Sequence, residues 1–396
     1  MSNHRLERAK KHIFSTGLGD IGSSLCGANM TYGLAKIHWV QEQLGMEPNA
    51  TFISGPDETV TRNKMRWRNG FGYGGKISWG DGRAKIVILD VMPNACGMLV
   101  GGMNELPKPE ELIERINELE TKESYVDDIR VQWDFSKSNH FIDVFKVVRL
   151  ADVDLADHAF IIHSGAPELK GDNAKGFGLY VHKSEILREM AETMETPFGK
   201  ANVILENDAK EYLQFFHFAD NFSKKKRMLA AKMLFGDFEE ISNPLHQGLL
   251  NYNKMILGTH DIKDKYGLLF PMALRADLPA YLVRGKKNLS DEMIEILGFS
   301  KRAETLGVYS SLKNANILPH GGGYTFRDLL TVTNVMEVEG ERYFEVEMHN
   351  AIGQKIFSNP KDIEFVYRGR EVLMRMLELG LGELEARLIP EYVLKV

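Results

Sequence analysis

The sequence predicts an α+β protein in which mixed sheets and surrounding helices form a single large domain over residues 1–396. Three observations carry that expectation. Strand-like and helix-like segments succeed one another irregularly, without the strict alternation of a doubly wound sheet. No internal repeat, low-complexity tract or Pro/Gly/Ser-rich linker divides the chain. A hydrophobic content of 43% supports a large core, although 396 residues is a length that also suits two or three domains.

The elements follow in order. Residues 85–89 (KIVIL) read as a buried strand that runs into residues 90–98 (DVMPNACGM). A helix is predicted over residues 109–120, where Leu112, Ile113, Ile116 and Leu119 form one apolar stripe. Residues 141–148 alternate like a strand, and residues 159–163 (AFIIH) form a short apolar strand ending on a histidine. From Asp208 to about Phe235 the pattern is helical, with Tyr212, Phe215, Phe216, Ala219 and Phe222 on a buried face that reads as core. Residues 268–283 are mixed, residues 342–348 alternate as a strand, residues 361–381 read as a final helix, and residues 387–395 as a last extended piece.

A formal net charge of -6 argues against binding to long duplex nucleic acid, whose phosphates reward basic surfaces. It leaves room for a small pocket that handles the end of one strand. The one basic cluster, Lys224-Lys225-Lys226-Arg227, reads as a solvated helix face. Two cysteines, Cys26 and Cys96, give no disulfide framework. With no secretory leader and no apolar run of ~18 residues, a cytoplasmic protein without a membrane partner is expected.

Four stretches place polar or metal-binding residues beside glycines or at strand ends. They are Asn94-Ala95-Cys96-Gly97-Met98, Ser138-Asn139-His140-Phe141, His163-Ser164-Gly165-Ala166 and Pro319-His320-Gly321-Gly322-Gly323-Tyr324. A thiolate with two imidazoles suits a transition metal such as Mn, Zn, Fe or Co. Three glycines after His320 free the backbone to approach a ligand or to form an anion-binding nest. Taken singly, each stretch also fits a bland reading: a core cysteine, a structural histidine or an ordinary turn.

Taken together and in this order, these stretches resemble the RtcB-type RNA ligases. The likeness runs from about Trp67 to the C-terminus; residues 1–66 show none. Residues 69–78 (NGFGYGGKIS) are similar to the family's glycine-rich strand region, and Cys96-Gly97-Met98 to its metal-binding Cys-Gly step. Asn139-His140-Phe141-Ile142-Asp143 resembles its Asn-His-Phe-x-Glu motif, with Asp in place of Glu. His163-Ser164-Gly165 resembles its His-Ser-Gly motif, and His320-Gly321-Gly322-Gly323 its His-Gly-x-Gly motif. Residues 221–227 (NFSKKKR) are similar to its Asn-Tyr-Ala-x-Ala-Asn-Arg helix, and Ala386-Arg387-Leu388 with Val393-Leu394-Lys395 to its C-terminal ending.

The resemblance implies an enzyme that joins an RNA 3′-phosphate or 2′,3′-cyclic phosphate to a 5′-hydroxyl, using GTP and two divalent ions, typically Mn²⁺. It makes His320 the nucleophile that takes GMP from GTP. Cys96 would bridge the metals, with His140 on one and His163 on the other. Asn139 and Asp143 would lie near the nucleotide phosphates with Gly321, Gly322 and Gly323, and Lys395 would contact guanine. A neutral imidazole is a competent nucleophile near pH 7. The departures bear on the RNA half. The family's Asp before the metal Cys is Pro93 here, with Asp90 and Asn94 nearby but out of register. Its third metal His falls at Asn251, with His246 and His260 close enough to replace it. Ala166 and Tyr324 stand where the relatives carry phosphate-gripping arginines. A divergent homologue that binds metal and nucleotide without ligating RNA, in a binding, regulatory or hydrolytic role, is the alternative expectation.

Overall fold

Segments such as Phe141–Arg149 (FIDVFKVVR) and His158–Ser164 (HAFIIHS), rich in β-branched and aromatic residues, pair within a twelve-stranded sheet. The structure is a computed structural model that describes residues 2–135, 139–349 and 353–394. Across the sheet the strands run Ile13–Phe14, Thr51–Thr59, Tyr73–Ser78, Lys254–Leu257, Leu245–Asn251, Cys96–Met103, His158–Ser164, Phe141–Arg149, Gly382–Leu394, Ala280–Gly285 and Leu269–Met272. Glu239–Ser242 is the remaining strand and pairs with Cys96–Met103. Every pairing is antiparallel except the first, Ile13–Phe14 on Thr51–Thr59. The sheet is curled and mixed, and helices surround it, which is the α+β arrangement the sequence predicts. It draws on strands from both ends of the chain, so residues 13–59, which carry no motif, belong to the same sheet as the motifs.

The alternation of side chains along a strand sends neighbours into different cores. Leu99 joins Val144, Phe160 and Ile162 against Ala230, Ala231 and Leu234 of the helix Glu206–Phe235. Met98 and Val100, on the opposite face, join Phe145, Ile161, Leu282 and Leu388. Phe160 is fully buried, which contributes roughly 1.5–3 kcal/mol over an exposed ring. The helix Ile21–Gln43 is buried around most of its circumference, as a core helix should be. Its N-cap is Asp20, whose carboxylate accepts from Ser23 N–H at 3.0 Å.

Two expectations need correction. The final helix spans Arg370–Glu378, not residues 361–381. Val366–Tyr367 is instead extended and pairs with Tyr324–Thr325, so its backbone groups are committed to a ladder before Gly369 opens the helix. The basic cluster is only half a solvated face. Lys224 and Lys225 pair at the surface with Asp220 and Asp127, whereas Lys226 and Arg227 are 0% exposed beneath the sheet.

Candidate metal centre

The strand Cys96–Met103 begins at a sharp corner. Met92 and Ala95 have φ of 56° and 52°, and the Asn94 side chain accepts from Cys96 N–H at 3.0 Å. This aims Cys96 at the neighbouring strands. His163 sits near the end of His158–Ser164, opposite Met98 on one side and Phe141 on the other. His140 immediately precedes Phe141–Arg149. His246 is the extra residue of a β-bulge: Leu245 pairs with Gly97 and Gln247 with Cys96, which leaves His246 between them. Bulges re-aim a side chain without ending the strand.

These four side chains converge. Cys96 Sγ lies 3.1 Å from His163 Nε2 and 3.4 Å from His140 Nε2. The ligating atoms of Cys96, His140 and His163 all lie within 4.8 Å of one another. His246 Nε2 extends the group, 3.2 Å from His163 Nε2. Backbone and carboxylate acceptors choose the tautomers. Asp134 Oδ2 accepts from His140 Nδ1 at 2.8 Å, and the Asn139 carbonyl accepts from His163 Nδ1 at 3.0 Å. Neither acceptor can donate, so each Nδ1 carries a proton and each Nε2 presents its lone pair to the centre.

Burial pushes the Cys96 thiol up, but the imidazoles of His163, His140 and His246 outweigh it, and the net direction is well below a free thiol. Burial would lower His140, yet Cys96 and Asp134 raise it to about 9. His163 and His246 are lowered, chiefly by burial. The shift favours the Cys96 thiolate, the form that binds a metal, and a divalent cation takes the place of a proton at such a site. The donor set is sulfur and nitrogen, and among the described residues no carboxylate joins the group. Such donors fit zinc, cobalt or iron, whereas manganese favours oxygen donors.

His320 lies at the edge of this centre. Its ring stacks on that of His246, with centroids 4.6 Å apart and planes 25° from parallel. Asp57 Oδ2 accepts from its backbone N–H at 3.0 Å and from Nδ1 at 2.8 Å, which leaves Nε2 as the nitrogen for chemistry. Tyr73 meets the ring edge-on at 5.7 Å. The three glycines after it are spatially required. A Cβ on Gly322 would stand 2.5 Å from the Arg368 carbonyl oxygen, and Gly323 has a φ of +67°. Beside His320 opens a cleft of about 210 Å³, lined by His163, Asn139, Asp143, Gly321–Gly323 and Tyr324 among others.

The structure thus gathers Cys96, His140, His163, His246, His320, Asn139, Asp143 and the three glycines in one place. Asn251 stands apart, which corrects its expected role. Its side chain caps the turn after the strand Leu245–Asn251, accepting from Asn253 N–H at 2.9 Å, and the bulge supplies His246 instead. His260 is a buried neighbour whose Nε2–H donates to the Pro271 carbonyl at 2.9 Å, so that nitrogen is not offered to the centre. Asp90 pairs with Lys36 at 2.9 Å, and Asn94 serves the corner before Cys96. Lys395 lies outside the described residues. Sequence reasoning missed Asp57, Asp134 and Lys226. The only trace of Asp57 is an acidic pair, Asp57-Glu58, in a strand whose other residues are uncharged. No model of a known protein family matches the chain, and no curated protein matches it.

Proposed function

We propose that the chain is a metal-dependent nucleotidyl-transferring enzyme of the kind its motifs resemble, an RNA 3′-phosphate/5′-hydroxyl ligase with His320 as nucleophile. The observation that carries this reading is the stack of His320 on His246 at 4.6 Å, with Asp57 fixing the His320 tautomer, at the rim of a Cys/His cluster and a cleft. A bound divalent ion would neutralise phosphate charge and polarise the attacked phosphorus. Cys96, His140, His163 and His246 would hold it. His320 Nε2 would attack the α-phosphorus of GTP; an N–P bond forms, the α–β P–O bond breaks, and pyrophosphate leaves. The proton stays on Nδ1, where the Asp57 carboxylate offsets the positive charge that develops on the ring. GMP would then pass to an RNA 3′-phosphate, and a 5′-hydroxyl would displace it. Gly321–Gly323 leave room for phosphate beside the imidazole.

The experiment is GTP labelled at the α-phosphate, supplied with Zn²⁺, Co²⁺ or Mn²⁺, on wild type and His320→Ala. Acid-labile, base-stable label on wild type alone supports the reading. Absence of label across metals and nucleotides removes guanylyl transfer and leaves a metal-binding homologue that does not ligate. One observation favours that second reading. Arg275 is the single Lys or Arg lining the cleft among the described residues, and Asp277 already holds its guanidinium at 2.5 and 2.8 Å.

A further inference from the structure

Next to the cluster lies a second set of buried charged side chains, centred on Lys226. Lys226 is 0% exposed, on the sheet-facing side of the helix Glu206–Phe235. Its ammonium donates to the Gln132 carbonyl at 2.6 Å, Glu168 Oε1 at 3.0 Å, Asp134 Oδ1 at 3.2 Å and the Gly165 carbonyl at 3.2 Å. Asp134 uses its other oxygen, Oδ2, to accept from His140 Nδ1 at 2.8 Å and from Gly165 N–H at 3.4 Å. Glu168 also accepts from Gln132 N–H at 2.6 Å, which fixes that carboxylate independently of Lys226.

A buried lysine is expensive unless every proton is used. A hydrophobic residue at position 226 would fill the same space more cheaply, so stability alone does not explain it. What the ammonium does is hold Asp134 in one orientation. Asp134 in turn can hold His140 in one tautomer and one ring plane. The pairing runs outward from Glu168 through Lys226 and Asp134 to His140 Nδ1, and ends at Nε2, 3.4 Å from Cys96 Sγ. His163 needs no such chain, because a backbone carbonyl orients it. His140 immediately precedes its strand, and its Nδ1 faces Asp134 twice, the carboxylate at 2.8 Å and the backbone carbonyl at 3.3 Å, so the placement of Asp134 decides that of the ring.

We propose that Asp134 and Lys226 are positioning residues for the metal centre: Lys226, anchored by Glu168, clamps Asp134, and Asp134 orients His140 Nε2 toward the ion that Cys96 and His163 share. This rests on the cluster being a metal centre and is independent of guanylyl transfer. Removing such an outer partner lowers metal affinity by about 10–100-fold in comparable sites.

The test uses the full chain, stripped of metal and titrated with Co²⁺, with thiolate-to-cobalt charge transfer and ligand-field bands as the readout and Zn²⁺ competition giving affinity. Variants are Asp134→Asn, Lys226→Met and the surface control Lys225→Met, with Cys96→Ser to identify the site. Asp134→Asn keeps the shape and removes the charge. It should bind about 10–100-fold more weakly, with charge transfer kept, because Cys96 still ligates, and the ligand-field bands shifted. Lys226→Met should move in the same direction, and Lys225→Met should match wild type. If Lys226→Met fails to fold, Asp134→Asn decides alone. Wild-type affinity and an unchanged cobalt spectrum in Asp134→Asn would overturn the positioning role while leaving the metal centre intact. Cobalt binding that survives Cys96→Ser unchanged would instead overturn the centre itself, and the positioning role with it.

Discussion

Replacing Asp57 by Asn separates what its charge does for His320 from what its shape does. Oδ2 accepts from both His320 N–H, at 3.0 Å, and Nδ1–H, at 2.8 Å, while Oδ1 is buried and has no hydrogen-bond partner. An amide can mimic this in only one orientation, with its oxygen at the Oδ2 position. Both bonds then survive as neutral bonds, each weaker by roughly 1 kcal/mol than a bond to a carboxylate. Its NH₂ would occupy the place of Oδ1, beside Gly55, as a buried donor that costs about 1–3 kcal/mol if unsatisfied. Losing a buried charge offsets part of this, so a net destabilisation of about 2 kcal/mol is expected. The effect on chemistry should be larger. Attack by Nε2 leaves positive charge on the ring, and the carboxylate that balances it is gone. Loss of one positioned electrostatic partner lowers such a step by about 10²-fold. Urea unfolding reads the first quantity, and the rate of label transfer from α-labelled GTP reads the second. A variant that labels at the wild-type rate, or slows only in proportion to its unfolded fraction, would show that Asp57 merely supports the backbone at His320.

Other expectations follow from the same geometry. Stability should fall as pH drops below about 6.5: burial lowers His12 to about 4 and His38 to about 3, so both rings stay neutral in the fold while the unfolded chain takes up their protons. At pH 5 each contributes a loss of about 2 kcal/mol; a urea midpoint that is flat between pH 7 and pH 5 would refute this. Gly322→Ala should destabilise by about 1–3 kcal/mol, because its Cβ would stand 2.5 Å from a backbone oxygen that cannot yield without moving the loop after His320; thermal melts check it. If the chain binds RNA as the proposed ligase reading requires, Ala166 and Tyr324 make no charge-assisted pair with phosphate, so 3′-phosphorylated ends should bind weakly, by roughly 1.5–3 kcal/mol for each pair not made, with a shallow salt dependence. A steep slope in salt titrations would mean that other cations took over.

The parts of the fold legible in the sequence are those where one periodicity dominates. The helix Pro109–Thr121 and the strands Phe141–Arg149 and His158–Ser164 fall within a residue or two of their expected bounds, because each buries one clear face or is wholly apolar. Residues 361–381 misled because Val366 and Tyr367 fit an apolar helical stripe, and only their partners at Tyr324 and Thr325 decide that they are extended. The same holds for Lys226 and Arg227. A run of four cations looks solvated, yet successive helix positions point about 100° apart, so a run of four reaches both faces. Two land on the surface beside Asp220 and Asp127, and two land under the sheet.

The site divides along a similar line. Cys96, His140, His163 and His320 stand out because metal-binding or nucleophilic types sit beside glycines or at strand ends, where a chain signals its own geometry. Asp57 and Asp134 carry no such signal, since their use depends on what long-range pairing brings to them: His320 is 263 positions from Asp57, while Lys226 is 92 from Asp134. His246 marks the boundary between the two cases. Its residue type suggests a ligand, while the family resemblance puts the third metal histidine at Asn251, with His246 and His260 as possible replacements. In a regular strand, His246 would lie in step with its neighbours across from the Cys96 strand, and one residue on each strand would answer one on the other. The bulge inserts His246 between two paired positions and turns its ring toward His163. A bulge leaves no compositional trace, because the residue that enters it is decided by pairing on both flanks. The third imidazole is thus legible in the sequence as one candidate ligand among several, and the bracketing by Leu245 and Gln247 against Gly97 and Cys96 is what singles it out.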